Sequence, residues 1–377
     1  MKKKIINIGK QSKIAFSNQL STKKKNKVLI DYCYLLKKNK RLILNHNKMD
    51  INIAQKKRLK ANLIDRLILD DKKISKIINS IKTIIKLKDP TNQIIDKWKR
   101  PNGLNISKIS TSIGVIAVIY ESRPNVTPDV ASLCFKSGNA VILRGGTEAY
   151  NSNKILSKLF KISLKKNKVN QNYVQFIDSK NRGVVDFLLS KMDKYIDVII
   201  PRGGKNLVKK VKSLSNIPII GHLEGICHTY IDKDANPEIA RKVVYNAKLR
   251  NTSICGATET ILFHEKILKK MCNSILKNLE ENGCKIIGDK KIKKFFKGKI
   301  YNANEKDWST EYLSAAVSVK SVKDINEAIK HINNYGTMHT DSIITQNKKA
   351  SKIFLTNVKS SIAMHNTSTQ FADGGEF

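Results

Sequence analysis

Ile113-Gly-Val-Ile-Ala-Val-Ile-Tyr120, running into the turn Glu121-Ser-Arg-Pro-Asn-Val-Thr127, decides the architecture. A short apolar run rich in β-branched residues, without polar alternation, suits a strand buried on both faces of a parallel sheet. The turn predicts a helix behind it: Thr127 is placed to cap, Pro128 suits the first turn and Gly138 is placed to stop it. Ala140–Arg144 reads as the next strand, Gly145-Gly146 as a turn and Thr147 as the cap of a further helix. Tyr173–Ile177 and Asp197–Pro201 are strands on either side of the helical stretch Gly183–Lys191. Arg202-Gly-Gly-Lys205 then opens an amphipathic helix, and Ile217–Ile220 reads as a short strand. Strand and helix alternate throughout, which predicts a doubly wound α/β domain with ligands at the carboxyl ends of its strands.

Upstream, the first hundred residues read as Lys-rich packing helices. Ile74, Ile77, Ile78, Ile81, Ile84 and Ile85 form one stripe at helical period between Asp71 and Lys88, and Arg58–Leu69 repeats the pattern less cleanly. Downstream, a second alternating block begins at Asn236: a helix to Lys248, the loop around Cys255, a strand at Thr260–Phe263 and a long helix to Glu281. A helix over Ile325–Asn333 and a strand over Asp341–Thr345 follow. With 377 residues, two domains are expected, and a boundary falls near Gly225.

Six scattered cysteines without C-x-x-C pairs point to free thiols in a reducing cytoplasm. No apolar run is long enough to span a bilayer, so no membrane association is expected. His222, Cys227 and His228 are expected in and beside a strand rather than around a metal, and no metal is expected elsewhere. The formal charge of +40 is spread along the chain among few aromatics, with Lys, Ile and Asn all abundant. That is the composition of AT-biased codons on a solvated surface, not of a nucleic-acid-binding face.

Cys255, in Asn251-Thr-Ser-Ile-Cys-Gly-Ala-Thr-Glu259, is a thiol among small polar neighbours, where an electrophilic carbon could approach. Arg144-Gly145-Gly146 and Arg202-Gly203-Gly204 each place two glycines and a cation between strand and helix, a pair of turns suited to the phosphates of a dinucleotide. Either can equally be a plain turn, and no G-x-G-x-x-G is present. Asn125 is a candidate oxyanion donor or a turn former beside Pro124. Glu311 reads as a ribose ligand or a surface acid.

Several of these residues fall in longer blocks: Gly114–Thr127, Lys136–Gly146, Asp197–Lys205, His222–His228, Cys255–Glu259, Thr310–Leu313 and Asn366–Phe377. In that order they resemble the gamma-glutamyl phosphate reductases, a branch of the aldehyde dehydrogenase superfamily. The resemblance implies an NADPH-binding domain over residues 1–225, with an oligomerisation excursion near 98–112, and a catalytic domain over 226–365 carrying Cys255. It implies Cys255 as nucleophile, Asn125 as oxyanion donor, Arg144, Gly145, Gly146, Arg202, Gly203, Gly204 and Glu311 as cofactor contacts, and Arg123, Asn366, Ser368 and Thr369 as substrate contacts. The implied reaction is reduction of L-glutamate 5-phosphate to L-glutamate 5-semialdehyde in proline biosynthesis, by a cytoplasmic homo-oligomer that binds no specific nucleic acid.

Two departures matter. His222-Leu-Glu-Gly225 stands where hydrolytic relatives read Glu-Leu-Gly-Gly, which removes a base that would activate water. Relatives continue past Gly-Gly-Glu-Phe with strands used in subunit contact, so 366–377 reads as the start of a C-terminally truncated oligomerisation segment. Ser112-Ile113 and Gln370 differ from many relatives without touching the nucleophile. Two other readings use the same residues: a thiol aldehyde dehydrogenase for another acyl group, separated by its independence of phosphate, and an inactive shortened homologue with salt-sensitive nucleic-acid affinity.

Overall fold

The computed structural model describes residues 1–59, 61–121, 123–181 and 183–373. Two compact units emerge, Met1–Gly221 and His222–Phe377.

In the first unit, β1 (Ile94–Lys99) and β2 (Asn105–Ile109) form an exposed antiparallel ribbon separate from the central sheet. The strands β3 (Val115–Tyr120), β4 (Ala140–Gly145), β5 (Val174–Phe176) and β6 (Val198–Arg202) make a parallel sheet in the order β5-β4-β3-β6. Every residue of β3 and β4 is buried, which is why their sequence runs apolar without alternation. The order reverses between β3 and β6, so the crevice at their carboxyl ends is the topological switch point.

The predicted isoleucine stripe is the inner face of the helix Asp71–Lys86: Ile74, Ile77, Ile81 and Ile84 are buried, and Asp70 caps its start by accepting from the Lys73 amide. Among the described residues between Arg58 and Leu69, only Ala61–Leu67 is helical. The helix after β3 starts at Val126, ahead of Thr127, with Asn125 in the cap position. Thr127 cannot cap, because its buried hydroxyl donates to Asn153 Oδ1 at 2.8 Å and contacts the Tyr120 hydroxyl at 2.6 Å. Thr147 likewise opens only a 3₁₀ turn, Thr147–Ala149. The helix Tyr150–Lys166 is anchored instead by the buried Asp50, whose carboxylate accepts from the amides of Asn151 and Ser152 at 3.0 and 2.8 Å. Ile217–Ile220 reduces to one isolated bridge between Ile199 and Ile219.

The second unit is a seven-stranded sheet of β7 (Cys227–Ile231), β8 (Thr258–His264), β9 (Lys285–Gly288), β10 (Ile300–Asn302), β11 (Ala316–Val322), β12 (Thr340–Ile344) and β13 (Ile362–His365). Its order is β10-β9-β11-β8-β7-β12-β13 and every neighbouring pair is parallel. The strands β7, β8 and β12 are buried along their whole length. The long helix expected to end at Glu281 is broken into a 3₁₀ turn, a π turn over Leu268–Cys272 and the α-helix Asn273–Glu281. The extra residue of the π turn keeps Leu268, Met271 and Cys272 facing inward. No described helix is long and apolar enough to cross a membrane.

Near the ribbon, Asp89 is a buried hub. Its carboxylate pairs with Lys25 Nζ at 2.6 Å and accepts from the Thr22 hydroxyl and from both the amide and the hydroxyl of Thr91. Burial alone would push this carboxyl up, but Lys25 and then Thr22 and Thr91 outweigh it and bring it down to about 2. A carboxyl depressed on folding stabilises the native state above its unfolded value near 4, and that contribution is lost as pH falls towards the folded value. Its size is about 2 kcal/mol. Urea denaturation of Asp89→Asn is therefore expected to show a shallower loss of stability between pH ~4.5 and ~2 than the parent chain, by about that amount; parallel curves would remove the hub from the pH response.

Candidate functional site

Cys255 lies in the loop that enters β8 and is half-buried, whereas Cys33, Cys134, Cys227, Cys272 and Cys284 are all buried. Burial drives those five thiols away from reactivity: Cys33 is pushed up to about 11, Cys134, Cys272 and Cys284 to about 12, and Cys227 well above its ordinary value.

The Cys255 loop is held from two sides. The Cys227 thiol donates to the Cys255 carbonyl at 3.1 Å, and Gly225 packs so closely that a Cβ there would sit 2.1 Å from the same oxygen. On the other side, Thr369 donates to the Gly256 carbonyl at 2.7 Å, and Gln370 donates to the carbonyls of Ala247 and Asn251. Behind the loop, Lys248 and Glu259 form a fully buried pair at 2.5 Å. Burial pushes the Glu259 carboxyl up to about 7 despite its lysine partner.

Beside Cys255 the fold brings in two imidazoles. The ligand atoms of His222, Cys255 and His339 all lie within 4.8 Å of one another, and the two rings meet edge to face at 4.8 Å. Burial, together with His222, holds the His339 imidazole below its ordinary pKa. Its Nδ1 lies 2.9 Å from the Thr340 hydroxyl and 3.6 Å from Cys227 Sγ. The topology explains the meeting: β8, β7 and β12 are adjacent and parallel, so the loops feeding their amino ends converge. His228, in β7, is fully buried and bonded to Asp341 at 2.8 Å, as a core histidine.

Glu311 is half-buried and accepts from the Gly225 amide at 2.8 Å, so it braces the segment opposite Cys255 rather than standing free on the surface. Asn366 takes a left-handed conformation, φ 55°, and its side chain bonds both the amide and the carbonyl of Thr345. Ser368 and Thr369 are buried, with Thr369 hydroxyl contacts directed to Gly256 and Thr258. The Thr369 hydroxyl supports the loop, and the Ser368 hydroxyl accepts from the Gln370 amide.

In the first unit, the carboxyl ends of β3, β4 and β6 stand level, with Tyr120 opposite both Gly145 and Arg202. Arg144 lies at the end of β4. It is buried, its guanidinium donates to the Gly145 and Asn181 carbonyls, and burial lowers its pKa. Gly145 is buried as well, because a Cβ there would run into Asn153 and the Tyr120 ring. Arg202, Gly203 and Gly204, by contrast, are exposed at the switch point and at the start of the helix Lys205–Leu214. Glu121, which the sequence did not single out, accepts from the Gly204 amide at 2.9 Å, and a Cβ on Gly203 would strike its carboxylate.

Arg123 and Asn125 line one cavity of about 360 Å³ with Arg66, Lys73, Lys76 and Asp129. Burial lowers the Arg123 pKa, and Arg202 and Arg66 lower it further, which marks a concentration of guanidinium charge. Burial raises Asp129, whose carboxylate lies 3.5 Å from the Asn125 amide nitrogen.

A scan against protein-family models found no match. The gamma-glutamyl phosphate reductase of Bartonella tribocorum is 44% identical over 357 residues, covering 95% of this chain and 87% of that protein. The crystal structure of the gamma-glutamyl phosphate reductase of Thermotoga maritima, 36% identical, superposes with a TM-score of 0.94 over 98% of this chain and 90% of that one. An acetylating aldehyde dehydrogenase of Geobacillus thermoglucosidasius, 16% identical, shares the fold with a TM-score of 0.68 over 100% of this chain and 88% of that one. The chain belongs to the gamma-glutamyl phosphate reductase family and is an oxidoreductase with the aldehyde dehydrogenase fold.

Proposed function

We propose that this chain reduces L-glutamate 5-phosphate to L-glutamate 5-semialdehyde with NADPH, through a thioester on Cys255, as the second step of proline synthesis from glutamate. The observation that carries the thioester is the exposure pattern of the thiols: five are sealed in cores and Cys255 alone is half-open. Its sulfur attacks the acyl phosphate carbon, the C–O bond to phosphate breaks, and phosphate departs with the bonding pair. Asn125 is the side-chain donor assigned to the negative oxygen. Bound NADPH supplies the hydride that converts the thioester to aldehyde and returns the thiol.

The residues fit such a cofactor at Arg202-Gly203-Gly204. The turn is exposed, sits at the switch point and opens a helix. Arg202 and Lys205, both exposed, favour the additional phosphate of NADPH over NADH. Glu311, braced on Gly225, is the carboxylate assigned to a ribose. Arg123, in a cavity with Arg66, Lys73 and Lys76, suits a substrate carrying both phosphate and carboxylate. The exposed Ile94, Ile95, Trp98 and Ile109 of the ribbon support a contact between copies of the chain, and six free cysteines support a cytoplasmic setting.

Run in reverse with glutamate 5-semialdehyde, NADP and phosphate, Cys255→Ala is expected to lose turnover while Cys33→Ala retains it. Equal rates for Cys255→Ala and the parent would remove the nucleophile. Gly225→Ala would drive a methyl group into the Cys255 backbone, at 2.1 Å from its oxygen and 2.6 Å from its Cα. The expected result is a fall in kcat of about a hundredfold with the fold retained, because small displacements of a reacting atom are costly; an unchanged kcat would show that the loop tolerates the shift. His222→Glu restores a carboxylate beside Cys255 and is expected to release free glutamate from the acyl-enzyme when no reductant is present. A hydrolysis rate no greater than the parent's would mean that His222 does not protect the thioester.

A further inference from the structure

We propose that His222, Cys255 and His339 form a binding site for a single zinc ion. One thiol and two imidazoles are a donor set that divalent zinc favours over harder cations, which prefer oxygen. Their ligand atoms lie within 4.8 Å of one another. Around tetrahedral zinc, with bonds of about 2.3 Å to sulfur and 2.0–2.1 Å to nitrogen, those atoms would stand roughly 3.3–3.6 Å apart. The ligand atoms therefore need to close by up to about 1.2–1.5 Å, which is within reach of rotations about the side-chain torsions.

The surroundings suit this use. His222 is exposed and the other two are half-buried, so an ion has a way in. The Thr340 hydroxyl and Cys227 Sγ both touch His339 Nδ1 and restrain that ring, as outer-shell partners orient a metal-bound imidazole. Cys227 also bonds the Cys255 carbonyl, so one buried thiol steadies two of the three ligands. Three protein ligands leave the fourth tetrahedral position to water. The net charge of +40 opposes any cation, so affinity must come from sulfur and nitrogen donation and not from the long-range field. On binding, the Cys255 thiol gives up its proton and a Zn–S bond forms, with no change in oxidation state. Resting on the reading of Cys255 as nucleophile, zinc occupancy would then hold the enzyme off reversibly.

The test uses the purified full chain, stripped of metal. Zinc is titrated in competition with a chromophoric chelator, and cobalt is substituted to look for thiolate-to-metal charge transfer. One equivalent per chain is expected, with Cys255→Ser, His339→Gln and the exposed-site variant His222→Gln each weakening binding by at least about tenfold, since even outer-shell losses cost that much. With each protein compared with its own metal-free rate, zinc should inhibit His339→Gln far less than it inhibits the parent. Failure to hold zinc at micromolar concentrations, equal affinity in all three variants, or a cobalt spectrum lacking thiolate charge transfer would each overturn the site. Zinc bound through Cys255 while turnover continues unimpaired would uphold the site and instead sink the nucleophile.

Discussion

A row of three buried hydroxyls fixes the geometry on which the reactive loop depends. Thr369 spends its one proton on the Gly256 carbonyl, so Thr258 must donate to Thr369 and Thr229 to Thr258, over 2.7, 3.0 and 2.7 Å in turn. The direction of every bond is set by the first. This chain ties β7, β8 and the segment after β13 to the peptide next to Cys255. In a core without water, leaving any member unpaired would cost its full desolvation, so the loop is held by satisfaction of polar groups as much as by packing. The close approach of Gly225 on the other side completes the clamp.

The sheets were legible because their physics is local. Strands buried on both faces must be apolar throughout, and Val115–Tyr120 and Ala140–Arg144 announce themselves for that reason. Helix starts were less legible, because a threonine ahead of a helix does not reveal what else its hydroxyl will meet. Thr127 meets Asn153, and Asp50 replaces Thr147 as anchor from a hundred residues upstream. The Arg-Gly-Gly spelling is identical at 144 and 202 and does not reveal that Arg144 is buried while Arg202 is exposed at the switch point. His339 carried no signal at all, since only the order β8-β7-β12 brings it to Cys255. The family resemblance, by contrast, spoke for order and identity over long blocks and did not depend on any one of these positions.

The large positive charge tells little about the interior. Among the described lysines only Lys25, Lys136 and Lys248 are buried, and each has a partner: Asp89, the oxygens of Asn26 and Ile85, and Glu259. Those few contacts carry structural weight because a buried ammonium cannot be left alone. The remaining lysines are spread over the surface, where exposed ion pairs contribute about 0–1 kcal/mol each. Composition bias can therefore load a surface with one residue type while the interior keeps its own accounts.

The sealing of five thiols has a practical corollary. A small alkylating reagent meets one sulfur it can reach on the folded chain and five it cannot. Covalent labelling thus becomes a head count: a folded chain carries one tag, and a chain whose cores have opened carries tags on the remaining thiols as well.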